Sequence, residues 1–146
     1  MVPPDIDSKL RLTLREGSVY YFTERTLTSP LSHYFIVVNS EPIAQQLLLL
    51  SVVTFKVEEV RHRRDACLET LVELSPKIFD VLTKPSIVDC NSLKTIPLAE
   101  FNDRFVRGEI CCFDKDLPLV PRKALRRAIH LSRIVADELK TLVAKP

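Results

Sequence analysis

Leu47-Leu48-Leu49-Leu50-Ser51-Val52-Val53-Thr54-Phe55-Lys56-Val57 is the stretch on which the reading of the fold turns. It is apolar almost throughout, so periodicity alone does not separate helix from strand. The β-branched and aromatic residues of its second half, Val52-Val53-Thr54-Phe55, favour a strand. A strand that is apolar on both sides is buried on both sides, which places this one at the centre of a sheet. The run is also far shorter than the roughly 20 residues needed to cross a membrane as a helix.

Working outward, the flanking segments supply its neighbours. Gly17 opens Ser18-Val19-Tyr20-Tyr21-Phe22-Thr23, a β-branched and aromatic run, and Tyr34-Phe35-Ile36-Val37-Val38 forms a second one beyond a polar loop containing Ser29-Pro30. Asn39-Ser40-Glu41-Pro42 turns the chain into the central run. Downstream, Arg61-His62-Arg63-Arg64 reads as a basic loop. Leu68-Glu69-Thr70-Leu71-Val72-Glu73-Leu74 alternates like a half-exposed strand and stops at Ser75-Pro76. Ser86-Ile87-Val88-Asp89-Cys90 is a short apolar strand ahead of Lys94-Thr95-Ile96, and Pro97 suits the first position of a helix running towards Phe105. Near the end, Leu125, Ala128, Ser132, Val135, Leu139 and Leu142 recur at spacings of three and four, the signature of an amphipathic helix.

These elements predict a mainly β fold, a small antiparallel barrel closed by one long C-terminal amphipathic helix over residues 121–143. A chain of 146 residues, 46% apolar and 27% charged, fits one globular domain over residues 1–146, with residues 1–16 as an N-terminal extension. The expected core is Val19, Phe35, Val37, Leu48, Leu50, Val52, Leu71, Ile87 and Ile96, covered by Leu125, Val135 and Leu139. The opening Met1-Val2-Pro3-Pro4-Asp5 lacks the basic and apolar regions of a secretory signal, so the expected location is the cytoplasm. Cys67, Cys90, Cys111 and Cys112 have no paired C-x-x-C spacing and read as reduced thiols. Adjacent residues on a strand point to opposite faces, so Cys111 and Cys112 do not suit one metal ion, and neither metal nor cofactor is expected.

A net charge of +2 is too small to announce nucleic-acid binding by itself. The distribution is more informative: basic residues cluster at Arg61, Arg63 and Arg64, and again at Arg122, Lys123, Arg126, Arg127, His130 and Arg133. Each cluster reads first as a solvated face and second as a phosphate contact. Tyr20, Tyr21, Phe22 and Tyr34 offer ring faces for unpaired bases, although strand alternation sends about half of such residues into the core.

In order and spacing, the chain from Gly17 onward resembles the MazF/PemK family of ribonuclease toxins. Four segments carry the resemblance. Gly17-Ser18-Val19-Tyr20-Tyr21-Phe22 is similar to the family's opening strand, and His33-Tyr34-Phe35-Ile36-Val37-Val38 to its Arg-Pro-hydrophobic strand, with His33 where the Arg stands. Leu49-Leu50-Ser51-Val52-Val53-Thr54-Phe55 resembles the hydrophobic strand ending in Thr-Ser, keeping the Thr and losing the Ser. The run from Ser86 through Asn91 and Lys94 to Ile96 resembles a later Ser-x-x-x-x-Gln-hydrophobic-Arg-Thr-Ile block, and Gly108 the glycine before the closing helix.

The resemblance implies an endoribonuclease that cleaves single-stranded RNA without metal, by attack of a ribose 2′-hydroxyl on the adjacent phosphodiester. That step needs a base, an acid, and donors for the charge on the phosphoryl oxygens. His33 and Thr54 are the candidate catalytic residues; Arg25, Arg61, Arg63, Arg64, Asn91 and Lys94 are the candidate RNA contacts. Imidazole exchanges protons near neutral pH, whereas a guanidinium is a permanent cation, so His33 gains as an acid or base and loses as a fixed charge. Each candidate also has a plainer reading, His33 as a polar residue at a strand start and Thr54 as a residue of high strand propensity. The resemblance further implies a homodimer and a cognate antitoxin. The competing functions are a non-catalytic barrel module binding RNA or a protein, and a gyrase-directed toxin of the CcdB type.

Overall fold

The computed structural model of the protein describes residues 5–24 and 31–146. Its centre is a six-stranded antiparallel sheet, built from β1 (Val19–Phe22), β2 (His33–Val37), β3 (Leu47–Thr54), β4 (Leu71–Leu74), β5 (Ser86–Pro97) and β6 (Cys111–Cys112), in the order β4-β5-β3-β2-β1-β6. The run that decided the reading is thus an interior strand, with β2 on one side and β5 on the other. Alternation divides its side chains between two apolar layers. Leu49 and Val53 join Val19, Ile36, Val88, Leu125 and Ile129 on one face. Leu48, Leu50 and the half-buried Val52 join Tyr20, Phe22, Phe35, Val37 and Phe101 on the other.

The sheet is not closed into the expected barrel. β4, four residues long, and β6, only two, remain its two edges. The reason is that helices cover both faces: α5 (Leu119–Leu131) lies on the first, while α1 (Ser8–Thr13) and α4 (Leu98–Val106) cover the second. Apolar surface buried between sheet and helix on each side leaves no hydrophobic requirement for closure.

Nor is the last helix continuous over 121–143. It stops at Ser132, whose backbone is extended (φ −64°, ψ 135°), and resumes only as the single turn α6 (Asp137–Lys140). The Ser132 hydroxyl accepts the N–H groups of Ile134 (3.1 Å) and Val135 (3.2 Å) and donates to Asn91 Oδ1 (2.6 Å), offering the backbone a partner outside the helical ladder. The three-and-four spacing still marks residues that pack: Leu125, Ala128 and Val135 are buried, and Leu139 lies against the same cluster.

Two further segments differ from their sequence reading. The basic stretch is no loop but α3 (Val57–Arg63), with Val60 buried and Glu58 pairing with Arg61 at 2.9 Å across one turn. The alternating stretch from Leu68 begins in the 3₁₀ segment Asp65–Thr70, so only Leu71–Leu74 pairs as a strand. Residues 1–16 contribute structure where they are described. Asp7 caps α1 by accepting from Lys9 and Leu10, and Ile6, Leu10 and Leu14 are buried against the second face. Of the expected core, Val52, Leu71 and Leu139 are half-buried and the others buried.

The β2–β3 connection is held by Asn39, which is fully buried. Its amide donates to Leu47 O (2.6 Å) and Gln45 Oε1 (2.9 Å), and its oxygen accepts from Leu49 N–H (2.9 Å). Inside this connection α2 (Pro42–Gln45) makes one turn, and Gln46 takes a left-handed conformation (φ 55°) to enter β3. The result fixes the register Tyr34↔Val53, Phe35↔Val52 and Ile36↔Ser51.

Candidate functional site

One step beyond Tyr34↔Val53, the same register sets His33 opposite Thr54. Thr54 is in turn paired with Ile87 of β5, and His33 with Phe22 of β1. Residues directly opposite one another share a face, so Phe22, His33, Thr54, Ile87 and Glu73 form one row across five strands at a single end of the sheet. The sequence allowed a slip of about two residues, but no bulge intervenes between β2 and β3.

Both side chains are half-buried. His33 Nδ1 is shielded from solvent and has no hydrogen-bond partner among the described residues, which leaves a ring nitrogen uncommitted. Thr54 Oγ1 accepts the Lys56 N–H at 3.2 Å, so its hydroxyl hydrogen is free to donate elsewhere. Chemically the pair offers a group able to exchange a proton next to a neutral donor.

The basic candidates lie apart from one another. Arg61 reaches Glu73 at the β4 end of the row while also pairing with Glu58. Arg63 (3.4 Å) and Arg64 (3.0 Å) converge on Asp89. Burial by itself pushes the Asp89 carboxyl up, but hydrogen bonds from Asn91 and Arg64 outweigh it and hold the group below the usual aspartate range. Asn91 is only 6% exposed, and its amide serves the interior: Nδ2 donates to Thr70 Oγ1 (2.7 Å) and Asp89 Oδ1 (2.9 Å), and Oδ1 accepts from Ser132. Lys94, half-buried opposite Leu50, pairs with no carboxylate among the described residues. Arg25 lies outside the described residues.

The network of Asp89, Asn91, Thr70 and Ser132 escaped sequence reasoning because it rests on a bulge. Between Ser51↔Leu93 and Val53↔Val88, residues 89–92 of β5 stand against Val52 alone, which turns Asp89 and Asn91 inward. An Asp and an Asn flanking the buried Cys90 after the apolar Ile87-Val88 were the available signal.

The other groups singled out from sequence are sorted by burial and pairing. Tyr20 and Phe22 are buried, while Tyr21 and Tyr34 remain half-buried, with ring centroids 4.8 Å apart. In the last helix Arg126 forms a two-pronged pair with Glu16 (2.7 and 2.6 Å), and Arg122 approaches the same carboxylate. His130 Nε2 lies 3.3 and 3.2 Å from the carbonyls of Val143 and Ala144, a geometry in which it is the donor. His62 is exposed, and none of the described helices is long and apolar enough to cross a membrane.

The chain is similar to an endoribonuclease solved in complex with its cognate antitoxin from Mycobacterial species, with a TM-score of 0.50 and 15% identity over 80% of this chain and 90% of that one. It is also similar to the Mycobacterium tuberculosis toxin MazF-mt6, with a TM-score of 0.48 and 16% identity over 77% and 91% of the two chains. No protein-family model matches the sequence, and no curated protein does. The fold is thus similar to that of an endoribonuclease, in line with the resemblance read from the sequence.

Proposed function

We propose that the protein is a toxin-type endoribonuclease that cleaves single-stranded RNA without metal and is held in check by a cognate antitoxin. The observation that carries this reading is the His33–Thr54 register on one face of β2 and β3, in a fold shared with an endoribonuclease. His33 takes the proton of the attacking 2′-hydroxyl or returns one to the departing 5′-oxygen, and Thr54 donates to a phosphoryl oxygen. Lys94, Arg61, Arg63, Arg64 and Arg25 provide positive charge along the RNA, and Asn91 acts through the placement of Asp89 and its arginines. The protein works in the cytoplasm as a homodimer, whose second copy covers an edge left open in the single sheet.

The test is a gel of a long unstructured RNA incubated with protein and EDTA. His33→Ala should lower the cleavage rate by roughly 10²–10⁴ with the fold intact. His33→Arg should keep activity and flatten its dependence on pH near neutrality. Fragments that persist unchanged with His33→Ala would rule out this assignment. Light scattering at micromolar concentration checks the dimer, and a monomeric mass at all concentrations removes it.

One observation favours a second reading, a sheet module that binds RNA or a protein without cleaving. The guanidiniums of Arg61, Arg63 and Arg64 are all engaged by carboxylates, which leaves less charge for a transition state. Under this reading the same gel shows intact RNA, with retardation of the band in its place.

A further inference from the structure

Next to Thr54 in sequence, the ring of Phe55 is left open, 42% exposed, although phenylalanine is among the residues most often buried. Over it sits the ammonium of Lys84, 5.2 Å from the ring centroid. Unlike Arg61, Arg63 and Arg64, the exposed Lys84 pairs with no carboxylate among the described residues. The topology explains the meeting. Thr54 is paired with Ile87 near the start of β5, so Phe55 leaves the sheet beside the segment that leads into that strand. This lead-in is pinned where Ser86 Oγ donates to Lys84 O at 2.9 Å. The contact therefore belongs to the same end of the sheet as His33 and Thr54.

We propose that Phe55 and Lys84 form a nucleotide-binding subsite of single-stranded RNA, with an unpaired base stacked on the ring and the ammonium on a neighbouring phosphate. The proposal rests on the ribonuclease reading above and assigns it two residues that the family resemblance does not supply. Stacking on an aromatic ring tolerates any base, since every base presents a π-face. The lysine's flexible four-carbon stem lets one charge exchange the ring for a phosphate oxygen, and because no carboxylate competes for it, that charge is available. Phe55 follows Thr54 directly in sequence, so a base on the ring brings its own backbone to the end of the row where Thr54 lies. The subsite thus supplies a permanent positive charge at the end of the sheet where His33 stands in the place of the resemblance's arginine.

The experiment measures binding of a fluorescent 2′-O-methyl oligonucleotide of mixed sequence, which lacks the hydroxyl needed for cleavage, by anisotropy over a range of salt. Phe55→Ala should weaken affinity roughly 10- to 100-fold, and Phe55→Trp should restore it. Lys84→Gln should weaken binding and reduce the slope of log affinity against log salt by about 0.7, whereas Lys84→Arg should keep that slope. Both side chains are exposed, so the variants should melt with the parent. Variants that bind with the parent's affinity and slope overturn the subsite and leave the ribonuclease reading standing. A parent protein that neither binds the oligonucleotide nor cleaves RNA overturns both.

Discussion

Replacing Asn91 by Ala tests the interior of the fold and the meaning of the candidate site together. The side chain makes three hydrogen bonds, to Thr70 Oγ1, to Asp89 Oδ1 and from Ser132 Oγ. Two join neutral partners and one reaches a carboxylate. At about 1 kcal/mol for each neutral bond and about 1.5–3 kcal/mol for the charged one, the loss comes to about 3.5–5 kcal/mol, a large part of a small domain's stability. Urea unfolding followed by far-UV circular dichroism measures it. A loss under about 1 kcal/mol with an unchanged slope would refute the account of Asn91 as the tie between β5 and the end of α5. Asn91→Asp sharpens the test, because it keeps the shape and sets a second carboxylate against Asp89. That variant should be weakest near neutral pH and recover as the solution is acidified, when one proton shared by the two carboxyls replaces the lost N–H donor. A variant whose pH dependence runs parallel to the parent's would show that the two groups do not meet.

Leu50→Ala, at a fully buried position in β3, should cost about 2–5 kcal/mol, and a melting curve that overlays the parent's would remove this strand from the centre of the fold. Asp89 should contribute to acid sensitivity. Its folded form prefers the carboxylate, so as pH falls the unfolded chain takes up the proton first. The stability it adds is full above the ordinary aspartate value of about 4 and is lost as pH drops through the lower folded value. The gap in unfolding free energy between the parent and Asp89→Asn should therefore shrink on acidification, and a gap that stays constant from neutral pH to pH 3 would contradict the pairing.

The sequence by itself determined that the run from Leu47 is interior, because an apolar run that offers no polar face has no stable place at a surface; the strand favoured by Val52-Val53-Thr54-Phe55 forms, but it ends at Thr54 and α3 begins at Val57. It also determined which residues of the C-terminal segment meet the core, since spacings of three and four record a buried side whether or not the helix continues. What it did not decide was continuity. Ser132 fits the helical period, and its role as a terminator depends on Asn91, a residue 41 positions away that only the bulge in β5 brings within 2.6 Å. Closure of the sheet likewise depends on how much apolar surface the helices cover, a property of the packed whole. The candidate site divides along the same line. His33 and Thr54 were named as candidates through the resemblance, and their opposition follows from a turn whose register Asn39 fixes by three hydrogen bonds. The fate of each charge was not legible, because whether an arginine faces solvent or a carboxylate is set by contacts between segments distant in sequence. Arg126 meets Glu16 across 110 residues, Arg64 meets Asp89 across 25, and Lys84 meets a ring and, among the described residues, no carboxylate.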